Sequence, residues 1–80
     1  MHYVYILKLK NAQYYIGYTS NIQERIERHR RGEACETTKR IAMESLEFYA
    51  AFSTKEKASD FEKYLKSSSG FAFRNKRLLS

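Results

Sequence analysis

Five polar side chains in this 80-residue sequence stand where packing alone does not account for them: Tyr5, Tyr15, Arg25, His29 and Glu62. Tyr5 lies in Tyr3-Val4-Tyr5-Ile6-Leu7 and Tyr15 in Tyr14-Tyr15-Ile16-Gly17, two runs of β-branched and aromatic residues that suit a pleated, half-buried surface. Phenylalanine buries more cheaply than tyrosine, so phenols grouped on one hairpin suggest a polar surface with a function; tyrosines at the core's edge with wet hydroxyls explain them equally well. Arg25 and His29 follow on a helical stretch whose apolar stripe is Ile22 and Ile26. At 100° per residue Arg25 falls about 60° from Ile22 and His29 about 20°, so both point toward the sheet. Arg25 can snorkel along the core's edge and a lone His29 can be a satisfied core histidine. Glu62 falls about 40° from Ala58 on a second helix, again inward. A carboxylate there must find a cation, because burying it unpaired would cost several kcal/mol. Arg25 or a metal ion would serve, and a structural ion pair is the plainer alternative.

These groups need a hairpin and two helices to hold them. Strands are predicted over residues 3–8 and 14–19, with Lys10-Asn11-Ala12 supplying the turn. Gly17, inside the second strand, marks a bulge or a close approach of another group to the backbone. Ser20 or Asn21 caps a helix running to about Arg31, and Gly32 stops it. Residues 33–41 carry Thr37-Thr38-Lys39-Arg40 without a clear period and read as a loop or short irregular helix, either a solvated connector or a contact to phosphates. Residues 43–52 fit a third strand whose apolar content suits a central, buried place. Ser53 and Glu56 make a capping box for a helix to about Lys66, with Ala58, Phe61 and Leu65 inward. Ser67-Ser68-Ser69-Gly70 ends that helix, and residues 71–80 are expected to dock their apolar side while Arg74, Lys76 and Arg77 stay wet. His2 reads as a solvated terminus. The expected fold is α/β of the α+β type, a small three-stranded antiparallel sheet flanked by helices.

The length allows one domain, residues 1–80, with one modest core. A formal charge of +6, from 15 basic and 9 acidic residues, attracts polyanions, and DNA or RNA is the leading partner class. The same charge could serve only to keep the domain dispersed. No apolar run approaches the roughly 18 residues of a membrane span, and no secretory leader is evident, so a cytoplasmic protein that does not bind membranes is expected. Cys35 is the single cysteine and reads as incidental.

Taken together, these positions resemble the GIY-YIG nuclease family, specifically its small stand-alone members similar to the nuclease domain of the bacterial excision-repair incision subunit. Tyr3-Val4-Tyr5 resembles the first signature and Tyr15-Ile16-Gly17 the second; Arg25, His29 and Glu62 match the helix positions. The likeness covers nearly the whole chain. Tyr3 stands where the family name has glycine, Tyr18 where the excision-repair relatives have lysine, and Asn75 near a polar family position.

The resemblance implies metal-dependent cleavage of DNA phosphodiesters, with a link to DNA repair. Under it, Glu62 holds Mg²⁺ or Mn²⁺, for which a hard carboxylate is suited. Arg25 neutralises charge on the phosphoryl oxygens. Tyr5 is the general base that activates water, with Tyr15 and His29 in its hydrogen-bond network, although His29 could take the proton instead. A free phenol has a pKa near 10, so holding it ionised at pH 7 costs roughly 4 kcal/mol, which neighbouring positive charge must supply. The alternative is a non-catalytic nucleic-acid-binding module of the same fold. Larger relatives attach DNA-binding modules that this chain lacks, so a partner protein supplying targeting is a further expectation. The sequence marks no oligomeric interface.

Overall fold

In the computed structural model, which describes residues 1–73, 75 and 76, the chain runs β1 (His2–Leu9), β2 (Tyr14–Thr19), α1 (Ile22–Arg30), α2 (Glu36–Arg40), β3 (Met43–Phe52), α3 (Lys55–Leu65) and α4 (Ser68–Phe73). Val4, Tyr5, Ile6 and Leu7 form an unbroken apolar run, the pattern of a strand covered on both faces, and all four are fully buried. β1 is accordingly the middle strand of an antiparallel sheet of order β2-β1-β3.

Alternation along β1 divides the core between the two faces. Val4 and Ile6 pack with Ala58, Phe61 and Leu65 of α3, and with Ile16, Phe48 and Phe52 of the flanking strands. Tyr5 and Leu7 pack on the other face with Ile22 and Ile26 of α1, and with Tyr15, Met43 and Leu46.

The expected central place of β3 is therefore corrected: β3 is an edge strand, and none of its residues is fully buried. Its apolar residues are interrupted by Glu44 and Glu47, which the register skips as it shifts between Ile6 and Leu7 and between Lys8 and Leu9. Bulges and charges of this kind keep an open edge from pairing with another chain.

The hairpin turn falls on the expected residues, with Ala12 in the left-handed region at φ 69°. The cap of α3 is Thr54 rather than Ser53: its side chain accepts from the Lys57 amide at 3.2 Å, one residue along from the predicted box. α3 does end before Ser67, but Ser68, Ser69 and Gly70 then open α4 instead of a loop. Gly70 permits this, since a Cβ there would overlap the Tyr64 carbonyl and come within 2.8 Å of Leu65 Cα. Tyr64 and Phe73 complete the contact, ring centres 5.8 Å apart. Of the tail expected to dock, residues 71–80, Phe73 meets Tyr64, while Arg74 and residues 77–80 lie outside the described residues. His2 is not merely solvated. It stacks on Tyr18 and its Nδ1 is 2.7 Å from the Tyr18 hydroxyl.

Candidate active site

Register places the two phenols. Tyr5 is opposite Gly17, and Leu7 opposite Tyr15, so Tyr5 and Tyr15 share the α1 face of the hairpin with ring centres 6.4 Å apart. Of the two readings of Gly17, close approach is the one observed. The Tyr5 ring lies close against Gly17, where a Cβ would overlap the phenol Cζ and Oη.

A short link then turns the chain over these rings. The Thr19 hydroxyl accepts from the Asn21 amide at 3.1 Å, and Asn21 caps α1 by accepting from the Glu24 amide at 3.2 Å. Only Ser20 separates the end of β2 from that cap, so α1 starts at a fixed angle and carries Arg25 and His29 to the tyrosines. His29 is 1 % exposed, its Nε2 is 2.8 Å from the Tyr5 hydroxyl, and its ring meets both tyrosines edge to face.

The far side of His29 is held by α2, which the sequence suggested only as a loop or short irregular helix. α1 ends in a Schellman motif: the Gly32 amide donates to the His29 carbonyl, the Glu33 amide to the Arg28 carbonyl, and Gly32 adopts φ 71°. The reversal brings α2 back against α1, with Thr38 Oγ1 2.9 Å from His29 Nδ1 and only 2 % exposed. Thr38 Oγ1 also lies 3.5 Å from Cys35 Sγ. Cys35, expected to be incidental, is thus part of the cluster. Burial pushes its thiol pKa up, but hydrogen bonds from Thr38, Tyr15 and the Thr37 amide outweigh that and bring it below the usual value. Thr38 was expected at most to touch phosphates and Cys35 to be incidental, because a five-residue helix has no period to reveal its inward face.

The electrostatics follow from burial. Tyr5 is raised above the ordinary phenol value by desolvation, against which a hydrogen bond and the charge of Arg25 act. Tyr15 is raised too, again chiefly by desolvation. Both are neutral near pH 7. His29 is pushed down to about 4, first by desolvation and then by the charges of Arg25 and Arg28. Arg25 Nε is buried with no hydrogen-bond partner among the described residues. Such an orphan donor on a permanent cation suits an incoming anion.

The His29 shift sets a pH dependence of stability. Between about pH 6.5 and 4 the unfolded chain holds a proton on this imidazole that the folded chain does not, so stability is full above that window and falls as pH drops through it. Burial this complete converts the shift to roughly 3 kcal/mol. Urea denaturation should show that decline in the native protein and a shallower one in His29→Gln; equal slopes would contradict the shift.

Glu62 sits on α3, which covers the opposite face of the sheet, yet its carboxylate is close enough to raise the Tyr5 pKa. Its cation is neither Arg25 nor required to be a metal: Lys66 Nζ, one turn along α3, is 3.1 Å from Oε2. The Lys66 side chain is 55 % exposed and that of Glu62 24 %, so this pair is weak and can open. No cluster of three or more His, Cys, Asp or Glu capable of holding a metal occurs among the described residues. A single half-buried carboxylate does fit Mg²⁺, which keeps most of its water and takes one or two carboxylates, and does not fit zinc or a calcium cage. Tyr18 points to the α3 face with His2, away from the Tyr5 cluster, and Asn75 is exposed. No helix among the described residues is long and apolar enough to cross a membrane.

Known proteins resemble this chain in sequence and in fold. A family model described as the GIY-YIG catalytic domain matches residues 1–77. A UPF0213 protein of Bacillus licheniformis is 35 % identical over 65 residues, 81 % of this chain and 67 % of that protein. A UPF0213 protein of Clostridium perfringens is 36 % identical over 66 residues, 82 % of this chain and 71 % of that protein. The matched stretch thus spans about two thirds of these relatives. The solution NMR structure of a UPF0213 protein from Bacillus halodurans superposes with a TM-score of 0.56 at 28 % identity, covering 96 % of this chain and 85 % of that one. With a matching fold, a family match over almost the whole length and the two tyrosine signatures paired on one hairpin, the chain belongs to the GIY-YIG catalytic-domain family.

Proposed function

We propose that this chain is a metal-dependent DNA endonuclease of the cytoplasm that hydrolyses phosphodiester bonds with structural selectivity or weak sequence specificity. The observation that carries the proposal is the Tyr5 to His29 hydrogen bond of 2.8 Å beside an arginine whose buried Nε lacks a partner. Packing alone does not require that arrangement. A strand-cleaving site does, because it must accept a proton from water and neutralise a phosphoryl group at adjacent points.

The Arg25 charge acts on the Tyr5 phenol, and a permanent cation there turns the phenol oxygen's lone pairs toward itself and its hydrogen toward His29 Nε2. Tyr5 is closed to water in the free protein, so a water admitted beside Arg25 as DNA opens the site would donate to the Tyr5 oxygen while the phenol's own proton passes to neutral His29. A scissile phosphate docked at Arg25 offsets the guanidinium charge that helps hold His29 down, raising the basicity of the imidazole as the substrate binds. Tyr15 also packs edge to face with the His29 ring and helps hold it in place. Glu62 would hold the divalent cation, which supplies Lewis-acid stabilisation to the phosphoryl and leaving oxygens. The net charge of +6 favours DNA association at low salt.

The test is cleavage of supercoiled plasmid and of branched DNA with Mg²⁺ or Mn²⁺, comparing the native protein with Glu62→Ala. Cleavage should require the metal and fall about a hundredfold in the variant, with DNA binding retained. Salt-sensitive, metal-independent binding without cleavage by either protein would instead identify a nucleic-acid-binding module.

A further inference from the structure

We propose that Thr38 is a positioning residue that fixes the tautomer of His29, so that Nε2 is the nitrogen able to accept the Tyr5 hydrogen. The inference rests on the nuclease reading for its consequence in catalysis, but not for its geometry. The imidazole is locked between two hydroxyls, Tyr5 at 2.8 Å on Nε2 and Thr38 at 2.9 Å on Nδ1, and all three residues are almost wholly inaccessible to water. A neutral imidazole carries one hydrogen, so one hydroxyl must donate to the ring and the other must accept from it.

The two ends of the chain decide which. At the Tyr5 end, the Arg25 charge acts on the phenol, and a permanent cation favours the phenol oxygen's lone pairs facing it and the hydrogen facing the ring. If Nε2 carried the hydrogen, the phenol's own hydrogen would have to turn toward that cation or find another acceptor in a pocket closed to water. At the Thr38 end an acceptor exists, since Cys35 Sγ lies 3.5 Å from Oγ1 and can take the threonine hydrogen. The arrangement that suits both ends of the ring therefore runs in one direction: Tyr5 donates to His29 Nε2, His29 Nδ1–H to Thr38, and Thr38 to Cys35.

Thr38 owes its position to the Schellman reversal after α1, which makes the α1 to α2 connection part of the site. A positioning residue of this kind differs from a catalytic one in that it touches neither substrate nor metal and acts only through the ring it orients.

The tautomer can be read directly from the ¹⁵N chemical shifts of His29 in the folded protein, without DNA. The native protein should show hydrogen on Nδ1 and a bare Nε2. Thr38→Val keeps the shape and removes the acceptor, so the hydrogen should move to Nε2; Thr38→Ser should restore the native pattern. If cleavage is detected, kcat should fall roughly tenfold or more in Thr38→Val, with KM for DNA unchanged and recovery in Thr38→Ser. Should Thr38→Val not fold, Thr38→Ala, which introduces no extra bulk, is read in the same way. Hydrogen on Nε2 in the native protein, or hydrogen remaining on Nδ1 in the substituted protein, overturns the proposal. Absence of cleavage in the native protein would count against the nuclease reading alone, because the ring measurement decides the role of Thr38 independently.

Discussion

Tyr5→Phe is expected to lower DNA cleavage about a thousandfold while leaving the protein folded and bound to DNA. The substitution removes one oxygen atom and nothing else. The ring keeps its place over Gly17 and its contacts with Tyr15 and His29, none of which needs the hydroxyl. What is lost is the hydroxyl bonded to His29 Nε2 beside the Arg25 charge. Removal of a proton-transfer group costs 10²- to 10⁴-fold, and this group is also the link between the arginine and the imidazole, which places the effect in the middle of that range or above. Stability should fall only by about 1–2 kcal/mol, the cost of leaving one buried acceptor, His29 Nε2, unsatisfied. Plasmid nicking by Tyr5→Phe, with urea denaturation and a DNA-binding titration on the same preparation, gives all three quantities. Cleavage within tenfold of the native rate would remove Tyr5 from the reaction and shift the proton-accepting role to His29 alone.

The features of the fold that could be read from the sequence were those with local causes. The hairpin, the Asn21 cap and the Gly32 stop are each specified within a few residues, and β2 and β3 fall where predicted. Helical periodicity likewise turned Arg25, His29 and Glu62 inward, and the structure brings Arg25 and His29 to Tyr5 and Tyr15. What escaped depends on tertiary context. Strand order is a property of the assembled sheet: β3 has enough apolar residues to look central, and only the four consecutive apolar residues of β1 reveal which strand is covered twice. Thr38 and Cys35 are polar residues in a polar segment, and nothing local says that a reversal at Gly32 places Thr38, nine residues after His29, on its ring. The partner of Glu62 was missed for a different reason. Lys66 was available one turn along the same helix, but a lysine at i+4 is so common on solvated faces that it carries little information.

Gly17 joins the stability of the sheet to the geometry of the site, and Gly17→Ala should damage both. A Cβ at this position would overlap Cζ and Oη of Tyr5 and stand 2.9 Å from Cε2. Real Cβ contacts do not come so close, so something must move. The Tyr5 ring cannot swing outward freely, being fully buried with Tyr15 and His29 against it, and the Gly17 backbone is held in the β1 to β2 ladder opposite Tyr5 itself. Overpacking at such a site costs typically 1–3 kcal/mol, and we expect the upper part of that range. The displaced phenol also loses its 2.8 Å bond to His29, so cleavage should fall about as far as in Tyr5→Phe. The two substitutions then act on one interaction, and the double variant should cleave no more slowly than the worse single one. Stability separates them, because phenylalanine retains the Cζ that an alanine Cβ would strike, and the destabilisation should persist in the double variant. Denaturation and nicking assays on the four proteins measure both quantities. Native stability and native cleavage in Gly17→Ala would mean that the ring can move aside without consequence, and the close approach would lose its functional meaning.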